Sequence, residues 1–225
     1  LRGAGPFADE WLPIKPGTDM ALALALCNAI IAQGTIDREY LKKHTNAPFL
    51  VQADGTFVRA EGKEQVWDMK TSSSKAFDAS DVDAALEGEF TVAGAKAKPS
   101  FQLFKEHVAQ YTPEWAAQVC GLSADSIQQV ARELGENAMI GSTIVVDGVT
   151  LPYRPVSIMA YHVSQQELGF QFYRAMYTVM MLLGAVEAVG GLRIDSTWKV
   201  HANYDAFDKI KVKDPPYDYT LGSSK

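Results

Sequence analysis

Hydrophobic positions are densest between Met20 and Ile31, where alanine and leucine alternate up to Leu26 and are followed by Cys27, Ala29, Ile30 and Ile31. Alternation alone suits a strand. Alanine and leucine, however, are strong helix formers and neither is β-branched, so residues 19–33 are predicted as a helix. Thr18 is placed to cap it, Asp19 to favour its first turn and Gly34 to end it. Apolar side chains surround this helix, which predicts burial on most sides. A second short helix is predicted over 37–44, with Tyr40 and Leu41 facing inward.

Residues 49–98 change character. Two β-rich pentapeptides, 49–53 and 56–60, flank Asp54-Gly55, the signature of a hairpin. A strand is expected at 66–69, a loop at 71–75 and a second hairpin turning at Ala93-Gly94. Helices return afterwards. Ser100 is expected to cap 101–109, Thr112 to cap a helix with Pro113 at its first position, and Ser123 to cap 124–134, which Gly135 stops. A hairpin is predicted at 143–151, turning at Asp147-Gly148. A buried strand at 156–160 and a long helix at 166–183 follow. From Ile194 on, no period is evident.

Composition narrows the classes. The 225 residues carry 21 Lys+Arg against 27 Asp+Glu, a formal charge of −6, so nothing draws the chain as a whole to nucleic acid or anionic lipid. With 47% hydrophobic residues the chain is globular. The apolar runs around 20–27 and 175–186 are shorter than the ~18–20 residues of a spanning helix, so no membrane insertion is expected. Cys27 and Cys120 lie far apart without a CxxC, which excludes a zinc or iron–sulfur site held by this chain alone; both read as small buried residues. The four histidines lack ligand spacing, and phosphate-loop, GxGxxG and GxSxG motifs are absent. The chain opens on Leu1 and reads as a piece of something longer.

One element has nucleotide-binding potential. Pro16-Gly17-Thr18-Asp19 feeds a helix N-terminus, whose free N–H groups suit phosphate. The Asp19 carboxylate can accept two parallel hydrogen bonds from the N1–H and N2–H edge of guanine. On these residues alone the plainer role of Thr18 and Asp19, starting a helix, stays open.

Four blocks in order resemble the molybdopterin oxidoreductases of the dimethyl sulfoxide reductase family. They are Ala8-Asp9-Glu10-Trp11-Leu12-Pro13-Ile14-Lys15-Pro16-Gly17-Thr18-Asp19, then Tyr111-Thr112-Pro113-Glu114-Trp115-Ala116 with Gly121, then Gln165-Gln166-Glu167-Leu168-Gly169 with Arg174-Ala175, and last Leu183-Gly184 with Gly190-Gly191. Together they span most of the chain. Departures from the family pattern are Cys120 for Thr, Gln166 for a common His, Ala160 and His162 for common glycines, and Glu187 and Val189 for Gly and Pro.

The resemblance implies an α/β fold, part of a Rossmann-like parallel-sheet domain with β-hairpin insertions and incomplete as a domain. Residues 1–135 would end a nucleotide-binding α/β domain, and 136–225 would return into its neighbour. It implies an internal fragment of a large catalytic polypeptide holding molybdenum or tungsten in a bis(molybdopterin guanine dinucleotide), with a [4Fe-4S] cluster in the preceding part. Gly17, Thr18 and Asp19 would contact one guanine nucleotide, and Tyr161 and Gln165 would lie near a pterin. Neither a catalytic residue nor a metal ligand falls within these residues. Expected partners are a small-molecule substrate, the rest of the catalytic subunit and an iron–sulfur electron-transfer subunit. The expected place is the periplasmic or cytoplasmic face of a membrane complex. The β excursion at 49–98 resembles members acting on sulfur or arsenic oxyanions more than formate dehydrogenases. The alternative is a non-catalytic α/β binding or assembly module.

Overall fold

The axis of the fold is helix α1 (Asp19–Gln33), which spans the predicted residues and ends on left-handed Gly34, whose N–H bonds Ile30 and Ile31 carbonyls. Its alanines let neighbours approach closely, and Ala25, Cys27 and Ile30 have no exposed surface. Around it stand α3 (Ser100–Val108), α4 (Pro113–Cys120), α5 (Ala124–Asn137) and α6 (Gly169–Leu182). Asn28 secures α3 by donating to the Val108 carbonyl at 3.0 Å. This computed structural model describes residues 8–160 and 163–193, which lie within one unit.

The caps explain where the helices start. Asp37 caps α2 (Arg38–His44) by accepting from the Tyr40 N–H, while Thr112 and Ser123 cap α4 and α5 as predicted. Ser100 does not cap. It is the first residue of α3 behind Pro99, and its hydroxyl donates to the Phe49 carbonyl at 3.1 Å. Nor does Gly135 stop α5, which runs on to Asn137. A Cβ at Gly135 would sit 2.6 Å from Thr35, so this glycine lets α5 press against the turn after α1.

Between α2 and α3 the chain makes the predicted β excursion. β1 (Leu50–Gln52) meets Phe57 across the Asp54-Gly55 turn, where Asp54 accepts from both the N–H and the hydroxyl of Thr56. The main partner of β1 is β6 (Ala95–Pro99), which also pairs β5 (Phe90–Val92) across Ala93-Gly94. A second antiparallel sheet joins β2 (Arg59–Ala60), β3 (Lys63–Asp68) and β4 (Ser73–Ala76). The loop predicted at 71–75 is thus largely strand, because the turn before it is tied down. Buried Asp68 bonds Lys75 at 2.6 Å, the Thr71 hydroxyl at 2.7 Å and the Lys70 and Asp83 N–H groups. Trp67 stacks on Phe90 at 4.6 Å, joining the two sheets.

The last hairpin is β7 (Thr143–Val146) with β8 (Val149–Pro152). Beyond it, residues 156–160 are not the predicted strand. Val156 and Ile158 pack inward and Met159 is 94% exposed, so strand-like alternation is kept without a partner among the described residues. The predicted helix at 166–183 starts later, at Gly169, after a 3-10 turn at Val163–Gln165. The result is a mixed helix–strand unit of an incomplete α/β fold. Its described sheets are all antiparallel insertions, and parallel pairing is confined to the Tyr153–Val189 and Val186–Leu192 bridges.

A buried ion pair closes this unit. Asp37 Oδ2 accepts from Arg154 Nη2 at 2.7 Å and Nε at 3.2 Å, with both side chains below 9% exposure. Arg154 Nη1 donates to the carbonyls of Ser142 and Tyr153, and the Asp37 N–H donates to Leu182 at 2.7 Å. Gly184 leaves room for this carboxylate, since any Cβ there would collide with Asp37 Oδ2.

Replacing Arg154 with Met strands the Asp37 charge. In the full-length polypeptide this is expected to cost about 3–5 kcal/mol in denaturant unfolding and to speed amide exchange in β7–β8. Asp68 gives a second expectation. Lys75 and then Thr71, with the two N–H groups, hold its carboxyl far below the ordinary carboxylate range against the opposing effect of burial. A depressed carboxyl contributes stability above its unfolded value of about 3.9 and loses it as pH falls through the folded value. Faster exchange of β3–β4 amides in Asp68→Asn is therefore expected at neutral pH. The difference from wild type should narrow only below about pH 4.

Candidate functional site

The site begins with a tight turn. Lys15-Pro16-Gly17-Thr18 closes through the Thr18 N–H onto the Lys15 carbonyl at 3.2 Å, with proline second and Gly17 third at φ +83°. That is the order a type II turn demands. The Lys15 N–H donates to the Cys120 carbonyl at 2.9 Å, anchoring the turn to the end of α4. Thr18 does not cap α1 with its side chain. Its hydroxyl donates back to the Lys15 carbonyl at 2.6 Å, the Ala21 N–H donates to the Thr18 carbonyl at 3.0 Å, and among the described residues no side chain accepts from the N–H groups of Asp19 and Met20. Those groups keep their polarity for something outside the helix.

Asp19 stands half-buried at this helix start. Its Oδ2 accepts from Gln166 Nε2 at 3.0 Å, and among the described residues Oδ1 has no partner. Beside it lies an apolar cavity of about 150 Å³ lined by Leu12, Ile14, Leu22, Ile158, Phe172 and Met176, with Asp19 on its wall. An apolar space of that order takes one aromatic ring. Gly17, Thr18 and Asp19 are thus brought together. Gln165 is exposed on the 3-10 turn, and Tyr161 lies outside the described residues. Sequence reasoning missed Gln166 as a partner of Asp19, having noted it only as a replacement for histidine. A pair 147 positions apart leaves no local signal.

Other candidates carry less chemistry. A wider concavity of about 580 Å³ lies between α2 and the β excursion, but Lys42 there is paired with Asp83 at 2.6 Å and Lys43 with Glu39 at 3.0 Å. Among the described residues no cluster of His, Cys, Asp and Glu could hold a metal, and no single helix is long and apolar enough to cross a membrane. Both cysteines are buried, as predicted.

Residues 3–213, which include this turn and helix start, match the family model for molybdopterin oxidoreductases. The chain belongs to that family. It is 35% identical to a sulfite dehydrogenase subunit of Allochromatium vinosum over 85% of this chain and 22% of that protein. It is 30% identical to the alpha subunit of chlorate reductase of Ideonella dechloratans over 87% of this chain and 22% of that one. The chain therefore spans about a fifth of these relatives. Among solved structures, acetylene hydratase from Pelobacter acetylenicus matches 83% of this chain and 16% of that chain, at 19% identity and a TM-score of 0.47. Membership implies a molybdopterin cofactor carrying molybdenum or tungsten.

Burial pushes the Cys27 thiol up to about 12, and its sulfur lies 3.9 Å from the Ala175 carbonyl between α1 and α6. A thiol so placed is neutral at ordinary pH. Cys27 is expected to resist alkylation at pH 8 in the folded full-length polypeptide and to react at once in denaturant, as read by mass spectrometry.

Proposed function

We propose that this chain is an internal segment of the catalytic subunit of a molybdopterin oxidoreductase, and that the start of α1 forms part of the wall that holds one guanine of a bis(molybdopterin guanine dinucleotide). The supporting observation is Asp19, a carboxylate with one oxygen unpartnered among the described residues at the edge of a ring-sized apolar cavity. Guanine presents two adjacent donors, N1–H and N2–H, to a carboxylate, and a planar face to apolar walls. Gly17 keeps the turn tight, and the uncapped N–H groups after Thr18 favour the ribose and phosphate oxygens. Gln165, exposed before α6, and Tyr161 are assigned to the pterin side. Residues 1–135 complete the nucleotide-binding portion and 136–225 return to its neighbour.

When bound, the molybdenum or tungsten centre supplies two-electron redox chemistry. This chain contributes none of the reacting groups in that reading. Its residues bind and orient one end of the cofactor. Relatives named for sulfite and chlorate favour an oxyanion of sulfur or of a comparable element, arsenic included, as substrate. That those relatives are named as subunits supports a partner subunit for the whole protein, and by resemblance to the family we assign it an iron–sulfur electron-transfer role and place a [4Fe-4S] cluster in the preceding part of the polypeptide.

Asp19→Asn tests the guanine role. The change leaves one acceptor and turns an amide donor toward a guanine donor. Cofactor affinity is expected to fall by roughly 2–4 kcal/mol. Loss of a first-turn charge should cost the helix well under ~1 kcal/mol. Guanine nucleotide content and thermal midpoint of the full-length variant, measured together, separate the two effects. Normal nucleotide content with a small stability change leaves Asp19 as a helix-start residue and sinks the proposal.

A further inference from the structure

The Asp19–Gln166 hydrogen bond joins the starts of two helices that pack along each other. Gln166 sits in the turn that enters α6, its carbonyl accepting from the Gly169 N–H at 2.9 Å. Behind this bond, Phe172, Ala175 and Met176 of α6 pack on Ala23 of α1. The Gln166 amide spans the turn ahead of α1. Its Nε2 lies on Asp19 Oδ2, and its Oε1 lies 3.6 Å from where a Cβ of Gly17 would stand. The amide nitrogen must face the carboxylate, since only the nitrogen donates. Neither helix start has a side-chain cap of its own.

A carboxylate on an isolated helix start rotates freely about two torsions, and each orientation offers its lone pairs in a different direction. A donor fixed from a second helix removes that freedom. Because a carboxylate has about four lone-pair sites, one donor on Oδ2 still leaves both oxygens able to accept from outside.

We propose that Gln166 is the positioning residue of the guanine site: by donating to Asp19 Oδ2 from the start of α6, it fixes the carboxylate plane so that the pair of acceptors is presented to the base before the base arrives. The inference rests on the guanine reading of Asp19. It adds a residue that touches no reacting atom and acts through another side chain. Preorganisation of this kind raises affinity by reducing what must be ordered on binding.

The test uses the full-length polypeptide, with guanine nucleotide released by acid and counted per chain, alongside the thermal midpoint. Gln166→Glu keeps the shape but sets a carboxylate against a carboxylate. Gln166→Leu removes the donor without adding charge. Both are expected to lower guanine content to below a third of wild type. The exchanged pair Asp19→Asn with Gln166→Glu re-forms an amide–carboxylate bond in the opposite sense. It is expected to recover the thermal midpoint lost in Gln166→Glu while guanine content stays as low as in Asp19→Asn. Wild-type content in both Gln166 variants while Asp19→Asn has lost its nucleotide overturns the positioning role alone, whereas recovery of guanine content in the exchanged pair shows that position 19 needs no carboxylate and removes the guanine reading as well. Wild-type content in Asp19→Asn removes the guanine reading itself and this inference with it.

Discussion

The arrangement depends first on a charge that water does not reach. Asp37 is asked to cap α2, to receive the guanidinium of Arg154 and to sit where Gly184 leaves space, all from one side chain. Two charges in such a place are tolerable only when every donor and acceptor is used. Arg154 meets that condition by directing its remaining N–H groups to carbonyls at the foot of the last hairpin. The end of α6, the start of α2 and the segment after β8 are held in one register by geometry that admits little variation. Apolar packing of Val179, Leu182 and Leu183 then fills in around a frame already set.

Helix α1 links that end of the unit to the turn at its own first residue. It is packed on by α3, α4, α5 and α6, and its small side chains allow those helices no slack. The turn before it is tied to α4, and its first residue is tied to the approach to α6. In the proposed reading, the groups that meet the guanine stand at or just before helix starts backed by the core.

Features set by neighbouring residues were legible in the sequence. The α1 span, the caps at Thr112 and Ser123, and the Asp54-Gly55, Ala93-Gly94 and Asp147-Gly148 turns all follow from side chains within a few positions. The start of α1 at Asp19 was legible for the same reason, but Thr18 does not give the cap expected of it, since its hydroxyl turns back to the Lys15 carbonyl. Distant partners were not. That β1 would pair chiefly with β6, that Asp68 would knot four groups and order β4, and that Arg154 would reach Asp37 depend on approaches between residues far apart along the chain. The buried strand expected at 156–160 is neither buried throughout nor a strand: Met159 is 94% exposed, and an apolar run does not reveal whether a neighbouring strand will pair with it. Gly135 misled in a similar way: glycine marks a helix end or a close approach, and only the neighbouring Thr35 decides which.

The β7–β8 ribbon has a consequence for how such a protein is made. Ile144, Val145, Val146 and Val149 are all exposed, Val145 at 66%, and among the described residues the strands pair with each other and otherwise only through Val189, whose N–H donates to the Pro152 carbonyl at 3.1 Å. A two-stranded ribbon with valine flanks and largely open edges is a template for further strands. On the ribosome the ribbon is complete once Pro152 has emerged, before α6 has been made. Exposed valine faces and strand edges of this kind favour pairing with another chain, which sets a demand on the concentration at which the polypeptide is made.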